Sequence, residues 1–176
     1  MLTSFLFDLL KTLFLQIIKT HISMKDKTTR KICICSYAAL AFCAIWFLLM
    51  VMHFVQLIGY NEDIDWSINR LRKTSLVAVY IISTTISVFL CVKFVLNTFK
   101  GLRENTAFPN NNVGLLFWLA LAFLVYLICR TNEQVLYKEI LFQIVPDVFI
   151  VPFCILFFAF MYKVAADAVE ENNLTI

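Results

Sequence analysis

Three side chains that can carry or exchange a proton stand inside strongly apolar stretches of the chain: His53, Lys93 and Asp147. A charged group at the centre of a bilayer costs about 2.5–3.5 kcal/mol on insertion scales, so an ionisable residue there is a candidate for proton or ion movement. Histidine also changes charge near neutral pH. These three residues are therefore the candidate intramembrane polar positions.

Each of the three also has a structural explanation, which we favour. Lys93 lies close enough to the end of its apolar stretch for its long stem to reach the interface. His53 has no second ligand near it in the sequence, which favours packing over metal binding. Asp147 follows Pro146 at an expected helix start, where a carboxylate complements the helix dipole.

The rest of the sequence offers no pattern for catalysis or cofactor binding. It contains no Walker loop, metalloprotease motif, serine elbow or paired carboxylates within an apolar stretch. The six cysteines fall inside apolar stretches or at their ends, and Cys33 and Cys35 lack the Cys-x-x-Cys spacing of a disulfide-exchanging enzyme. The net charge of +3 is too small to indicate direct nucleic-acid binding. We expect no enzyme and no cofactor.

Hydropathy predicts the elements that position these residues. Hydrophobic types make up 61% of the 176 residues and charged types 15%, with a mean hydropathy of +0.83. Soluble domains have about 45–50% apolar and about 25% charged residues. Long apolar runs indicate transmembrane helices. We therefore predict an all-α, integral membrane four-helix bundle. Its spans are expected at about 32–59, 74–99, 113–130 and 146–164.

Local patterns refine this prediction. Asn112 is placed to cap the third helix. Residues 131–145 are half polar and suggest a surface helix outside the membrane. The second span carries small and polar residues at steps of three and four, which predicts a helix-packing face; they are Tyr80, Thr84, Ser87 and Cys91.

Residues 1–31 are expected to form an amphipathic interfacial helix and a basic linker, and residues 32–176 the four-span domain with a polar tail. The polar residues of the first segment recur at three- and four-residue spacings, as in a helix lying in the interface. No basic residue precedes Asp8, which argues against a signal peptide. A removed or spanning segment is the alternative.

The distribution of Lys and Arg predicts the orientation. Ten of the 15 fall on the side that holds the N-terminal segment, the second-to-third connection and the tail. Positive residues stay in the cytoplasm, so both termini are expected there. The loop at 61–73 is then external.

Two short segments carry a resemblance to a family. They are residues 97–108, NTFKGLRENTAF, and residues 165–176, AADAVEENNLTI. Together with the four spans they resemble the bacterial DUF2975 family of small inner-membrane proteins, over about residues 32–176. Asn105 to Phe108 stand where the family has a "G-x-A-F" phrase, and Asn173 replaces an aspartate of its "E-N-D-L-T-I/V" tail.

The family has no assigned activity, and its members are often encoded beside a small helix-turn-helix regulator. The resemblance therefore implies a non-enzymatic membrane protein whose cytoplasmic face binds such a transcription factor. The candidate contacts on that face are Gly101, Arg103, Phe108, Glu171 and Leu174. The alternative is a subunit of a homo-oligomeric transporter or channel, since four spans alone rarely enclose a pathway.

Overall fold

The computed structural model describes residues 27–59, 64–103, 108–138 and 141–174. They form four α-helices: α1, Lys27–Gly59; α2, Arg70–Arg103; α3, Asn111–Thr131; and α4, Ile150–Leu174. No strand occurs in these ranges, and the predicted all-α four-helix class is confirmed. The expected interfacial helix lies outside the described residues. Residues 27–31 of the expected linker are described, and they are helical and belong to α1.

Contacts divide the chain into two compact units, residues 1–38 and 39–176. In the first unit, the described residues 27–38 are the opening turns of α1. The second unit contains the rest of α1 together with α2, α3 and α4. Every contact discussed below lies within this second unit.

Four helical stretches in the described part of the chain are long and apolar enough to cross a membrane: Lys31–Gly59, Arg70–Leu102, Asn111–Thr131 and Pro146–Glu171. The shortest has 21 residues, or about 31 Å at 1.5 Å per residue, which matches a hydrocarbon core of about 30 Å. Large apolar side chains cover the outward faces; Phe42 on α1 is 72% exposed and Phe160 on α4 is 70% exposed. Such surfaces suit a lipid solvent.

The central helix is α3, which packs against α2 on one side and α4 on the other. The polar face predicted on α2 is buried: Tyr80, Thr84 and Ser87 are almost inaccessible, and Cys91 is half-buried. Thr84 donates its hydroxyl proton to the Tyr80 carbonyl at 2.8 Å, four residues back. Ser87 bonds the Ser83 carbonyl in the same way at 2.8 Å. Because the helix satisfies these hydroxyls itself, this face can be buried at little cost.

Aromatic rings join α1 to α2 and α3. Trp46 on α1 stacks on Phe123 at a centroid distance of 5.8 Å and meets the edge of Tyr126 at 5.6 Å. Phe54, two turns further along α1, makes an edge-to-face contact with Tyr80 at 4.9 Å. Such ring pairs contribute about 0.5–1.5 kcal/mol each beyond the area they bury. They form a core near the end of the bundle where α1 and α3 finish.

The prediction of a surface helix over residues 131–145 is wrong. After α3 ends at Thr131, the chain forms a short 3₁₀-helix, Glu133–Leu136. It then runs without helix over 141–145 and enters α4 through a second 3₁₀-helix, Pro146–Phe149. The physical reason is Asn132, whose buried amide bonds the main chain of Gln143 in both directions, each at 2.7 Å. That pairing fixes a non-helical return of the chain.

The capping role predicted for Asn112 is also wrong. The helix begins at Asn111, with Asn110 in the N-cap position and no side-chain capping bond. Asn112 lies inside the first turn, and its amide points into the bundle instead of toward the helix end.

Candidate functional site

Charged and titratable side chains converge at the end of the bundle where α1 and α3 finish. We call this group the His53 cluster; it consists of His53, Tyr80, Tyr126, Arg130 and Glu133. The Glu133 carboxylate bridges two partners: its Oε1 lies 3.2 Å from His53 Nε2, and its Oε2 accepts a bond from Arg130 Nη1 at 2.5 Å. Arg130 Nη1 also lies 3.3 Å from His53 Nε2. Three ionisable groups from three elements are therefore in mutual contact.

The local fold explains why these groups meet. Arg130 occupies the last turn of α3, where a cation is favoured by the helix dipole. Glu133 follows three residues later, a spacing that brings opposite charges together. The Asn132 turn carries Glu133 back toward α1, where His53 lies about two turns from the helix end.

Tyr80 closes the cluster from α2. Its ring lies 6.2 Å from His53 and 5.6 Å from Tyr126, measured between centroids. The Tyr80 side chain is 1% exposed, and its hydroxyl makes no hydrogen bond of standard geometry, although Arg130 lies within electrostatic reach. The ring therefore packs His53 against apolar surface while placing a polar atom near the ion pair.

The arrangement suits proton response better than bond-making chemistry. Arginine only donates hydrogen bonds and an ionised glutamate only accepts them. Nε2 of His53, in contact with both, can either donate or accept, and its protonation decides which contact is favourable. Among the described residues, no group of three His, Cys, Asp or Glu side chains could hold a metal ion.

A second group of polar side chains, the Asn112 cluster, lies about 27 Å away at the start of α3, the distance of 18 residues at 1.5 Å each. The amide nitrogen of the fully buried Asn112 donates to Thr98 Oγ1 and to Tyr162 Oη, both at 3.1 Å. These bonds connect α3 to α2 and α4. In an apolar interior, such hydrogen bonds fix how helices pack.

Each of the two segments that carry the family resemblance contributes a contact at this same end. Asn110, just after the first segment, donates its amide proton to Glu170 Oε2 in the tail at 3.0 Å. Phe108 packs its ring edge-on against Tyr162 of α4 at 5.3 Å. The start of α3 and the polar end of α4 thus form one continuous surface.

The predicted contact residues have different positions in this region. Gly101 is buried near the end of α2, whereas Phe108 and Glu171 are exposed. Arg103 and Leu174 are the last residues of α2 and α4; their side chains lie outside the described set.

The three candidate intramembrane residues do not converge. Lys93 is exposed on α2, with its ammonium group 6.0 Å from the centre of the Phe89 ring, within reach of a cation–π contact. Asp147 is exposed in the first turn of the 3₁₀-helix that leads into α4. Only His53 belongs to a polar cluster.

Sequence reasoning missed Arg130, which it made the last residue of the third span, and Glu133, which it placed in the expected surface helix over 131–145. One local signal could have paired them: opposite charges three residues apart at the end of an apolar run. Their contact with His53 spans 77 residues, so it depends on helix packing that no local pattern reveals.

No family model, curated protein or solved structure matches this chain.

Proposed function

We propose that the chain is a non-enzymatic, multi-pass regulator of a bacterial inner membrane, related to the DUF2975 family. In this proposal its cytoplasmic face binds a small helix-turn-helix transcription factor. The observation that carries the proposal is that each of the two resembling segments contributes a contact at one end of the bundle, Phe108 to Tyr162 and Glu170 to Asn110. Asn110 and Glu170 are 60 residues apart in sequence.

The charge distribution supports a cytoplasmic location for this surface. Lys100 and Lys163 lie toward this end of α2 and α4, and the first turns of α1 carry Lys27, Arg30 and Lys31. Cytoplasmic flanks of spans are enriched in Lys and Arg. In this proposal both termini lie in the cytoplasm and the His53 cluster lies toward the opposite side.

The surface also has a suitable character for a small DNA-binding partner. The Phe108 ring is 38% exposed and offers an apolar contact. On the last turns of α4, the exposed Asp167, Glu170 and Glu171 share one helical face because they are three and four residues apart. A DNA-binding domain carries a basic surface, which an acidic face complements, and such complementarity gives specificity and faster association.

The transporter alternative has less support. A pathway through a small bundle would need polar residues facing one another along the membrane. Lys93 and Asp147 are exposed at separate places instead, and the hydroxyls of Thr84 and Ser87 are satisfied by their own helix.

Co-purification from mild detergent with the product of the neighbouring gene tests this proposal. We expect the partner to be retained by the parent protein and lost when Asp167 and Glu171 are both changed to lysine, because the acidic face becomes basic. Asp65→Lys, an exposed charge reversal at the other end of the bundle, is the matched control and should retain the partner. A parent protein that retains no partner, with unchanged transcription after gene deletion, would refute the proposal.

A further inference from the structure

We infer that the His53 cluster is a proton-operated latch, which holds α1 more firmly against the turn after α3 that carries Glu133 when the surrounding medium is acidified. The inference goes beyond the proposed function because its evidence lies at the opposite end of the bundle and requires no partner. It assigns a signal, the proton concentration on that side of the membrane, to a cluster of this chain.

The groups that face His53 come from every element packed around it. Among the described residues, α2 supplies Tyr80, α3 supplies Arg130 with Tyr126 behind it, and the following 3₁₀-helix supplies Glu133. One of these groups is anionic, one is cationic, and the two tyrosines are neutral near pH 7. The His53 and Glu133 side chains are 29% and 17% exposed, so salt screens their interaction less than that of a surface pair.

Neutral His53 cannot satisfy both charged neighbours. If Nε2 carries no proton, it accepts a bond from Arg130 at 3.3 Å but presents a lone pair to Glu133 at 3.2 Å. If Nε2 carries the proton, it donates to Glu133 but opposes the N–H groups of Arg130. In either tautomer one of the two short contacts is unfavourable.

Protonation removes the first of these tautomers and strengthens the bond to Glu133. The imidazolium donates from Nε2 with a full positive charge, and charge-assisted bonds are roughly twice as strong as neutral ones. The Arg130 contact becomes more repulsive, but the Arg130 side chain is 48% exposed and that of Glu133 only 17%. Water therefore screens this repulsion more than it screens the attraction between His53 and Glu133. Acidification therefore increases the attraction between α1 and the Glu133 turn.

Ring packing also holds α1 in this region. Trp46 and Phe54 attach α1 through ring packing, which protons do not alter. Other side chains of α1 in this region are exposed, as at Leu49 and Met52. A helix with one packed side can shift against its neighbours when a polar contact at its end changes strength.

Nuclear magnetic resonance on the whole protein in nanodiscs, labelled only at histidine, tests the charge assignment. The chain has two histidines, so a His21→Gln variant identifies the His53 signal. At pH 5, Glu133→Gln should change the chemical shifts of the His53 ring nitrogens because it removes the acceptor 3.2 Å from Nε2, and Arg130→Gln should change them because it removes the cationic neighbour 3.3 Å away. Glu170→Gln, at the other end, should leave them unchanged.

Tryptophan fluorescence tests the mechanical part. A variant with Trp66→Phe and Trp118→Phe retains Trp46, whose emission reports its packing on Phe123 and Tyr126. Between pH 8 and pH 5 the emission should shift, and His53→Gln should abolish the shift. Unchanged Trp46 emission over this range in the variant that retains His53 would overturn the latch. His53 ring signals at pH 5 that are the same in the parent and in the Glu133 and Arg130 variants would overturn its charge assignment.

Discussion

Replacing Asn132 by alanine should destabilise the protein more than the replacement of most single polar side chains would. The amide of Asn132 is 3% exposed and makes three main-chain bonds: it donates to Ile128 O at 2.8 Å and to Gln143 O at 2.7 Å, and it accepts from Gln143 N at 2.7 Å. Alanine removes all three and leaves both main-chain groups of Gln143 without these partners.

The magnitude follows from the value of each bond. Side-chain hydrogen bonds contribute about 0.6 kcal/mol on average in membrane-protein double-mutant cycles and about 1 kcal/mol in soluble proteins. Three bonds therefore amount to about 2–3 kcal/mol. Asn132→Asp keeps the acceptor for Gln143 N but loses both donor bonds, so its loss should be intermediate.

The assay is unfolding in mixed micelles with increasing SDS, followed by far-ultraviolet circular dichroism. Asn110→Ala is the matched control, since Asn110 is exposed and makes a single side-chain bond, to Glu170. A free energy of unfolding for Asn132→Ala within about 0.5 kcal/mol of the parent, the range of ordinary surface changes, would refute the claim that this amide fixes the turn.

Two further predictions concern α2 and the loop before it. Ser87→Leu should cost about 1–3 kcal/mol in the same unfolding assay because Ser87 is fully buried and overpacking strains a close-packed interior. Thr85→Leu, on an exposed face of the same helix, should cost much less, and equal losses would contradict the predicted packing. The Asp65 carboxyl accepts hydrogen bonds from the Ser67 hydroxyl, the larger effect, and from the Ser67 amide. These bonds hold the pKa of that carboxyl below its ordinary range. These bonds should therefore persist at neutral pH and break as the pH falls through the lowered pKa. In the parent, the Ser67 amide resonance should change at a pH below the pKa of an ordinary aspartate. In Asp65→Asn it should stay constant.

The helical architecture could be predicted because an apolar solvent leaves few choices. Main-chain polar groups in lipid must be satisfied within the segment, so a long apolar run implies a helix. The steps from Tyr80 to Thr84 and Ser87 likewise identified the buried face of α2, since helical spacing alone determines which residues share a face.

The turn after α3 and the His53 cluster could not be predicted by the same means. A half-polar segment after an apolar run fits a surface helix as well as a turn, and the choice depends on Asn132 meeting Gln143, 11 residues away. His53 and Arg130 meet only once α1 and α3 have packed. Both features result from tertiary contacts that hydropathy and periodicity do not encode.

The most direct measurement of the proposed function is photo-crosslinking in cells from the surface around Phe108 and the bond between Asn110 and Glu170. A photoreactive amino acid at position 108 should form an adduct with a small helix-turn-helix protein, identified by mass spectrometry, because the Phe108 side chain is exposed beside the acidic end of α4. The same amino acid at position 67, exposed at the other end of the bundle, should form none. The absence of any protein adduct from position 108 would contradict the proposed cytoplasmic binding face. An adduct with a helix-turn-helix protein from position 67 and not from position 108 would contradict it as well.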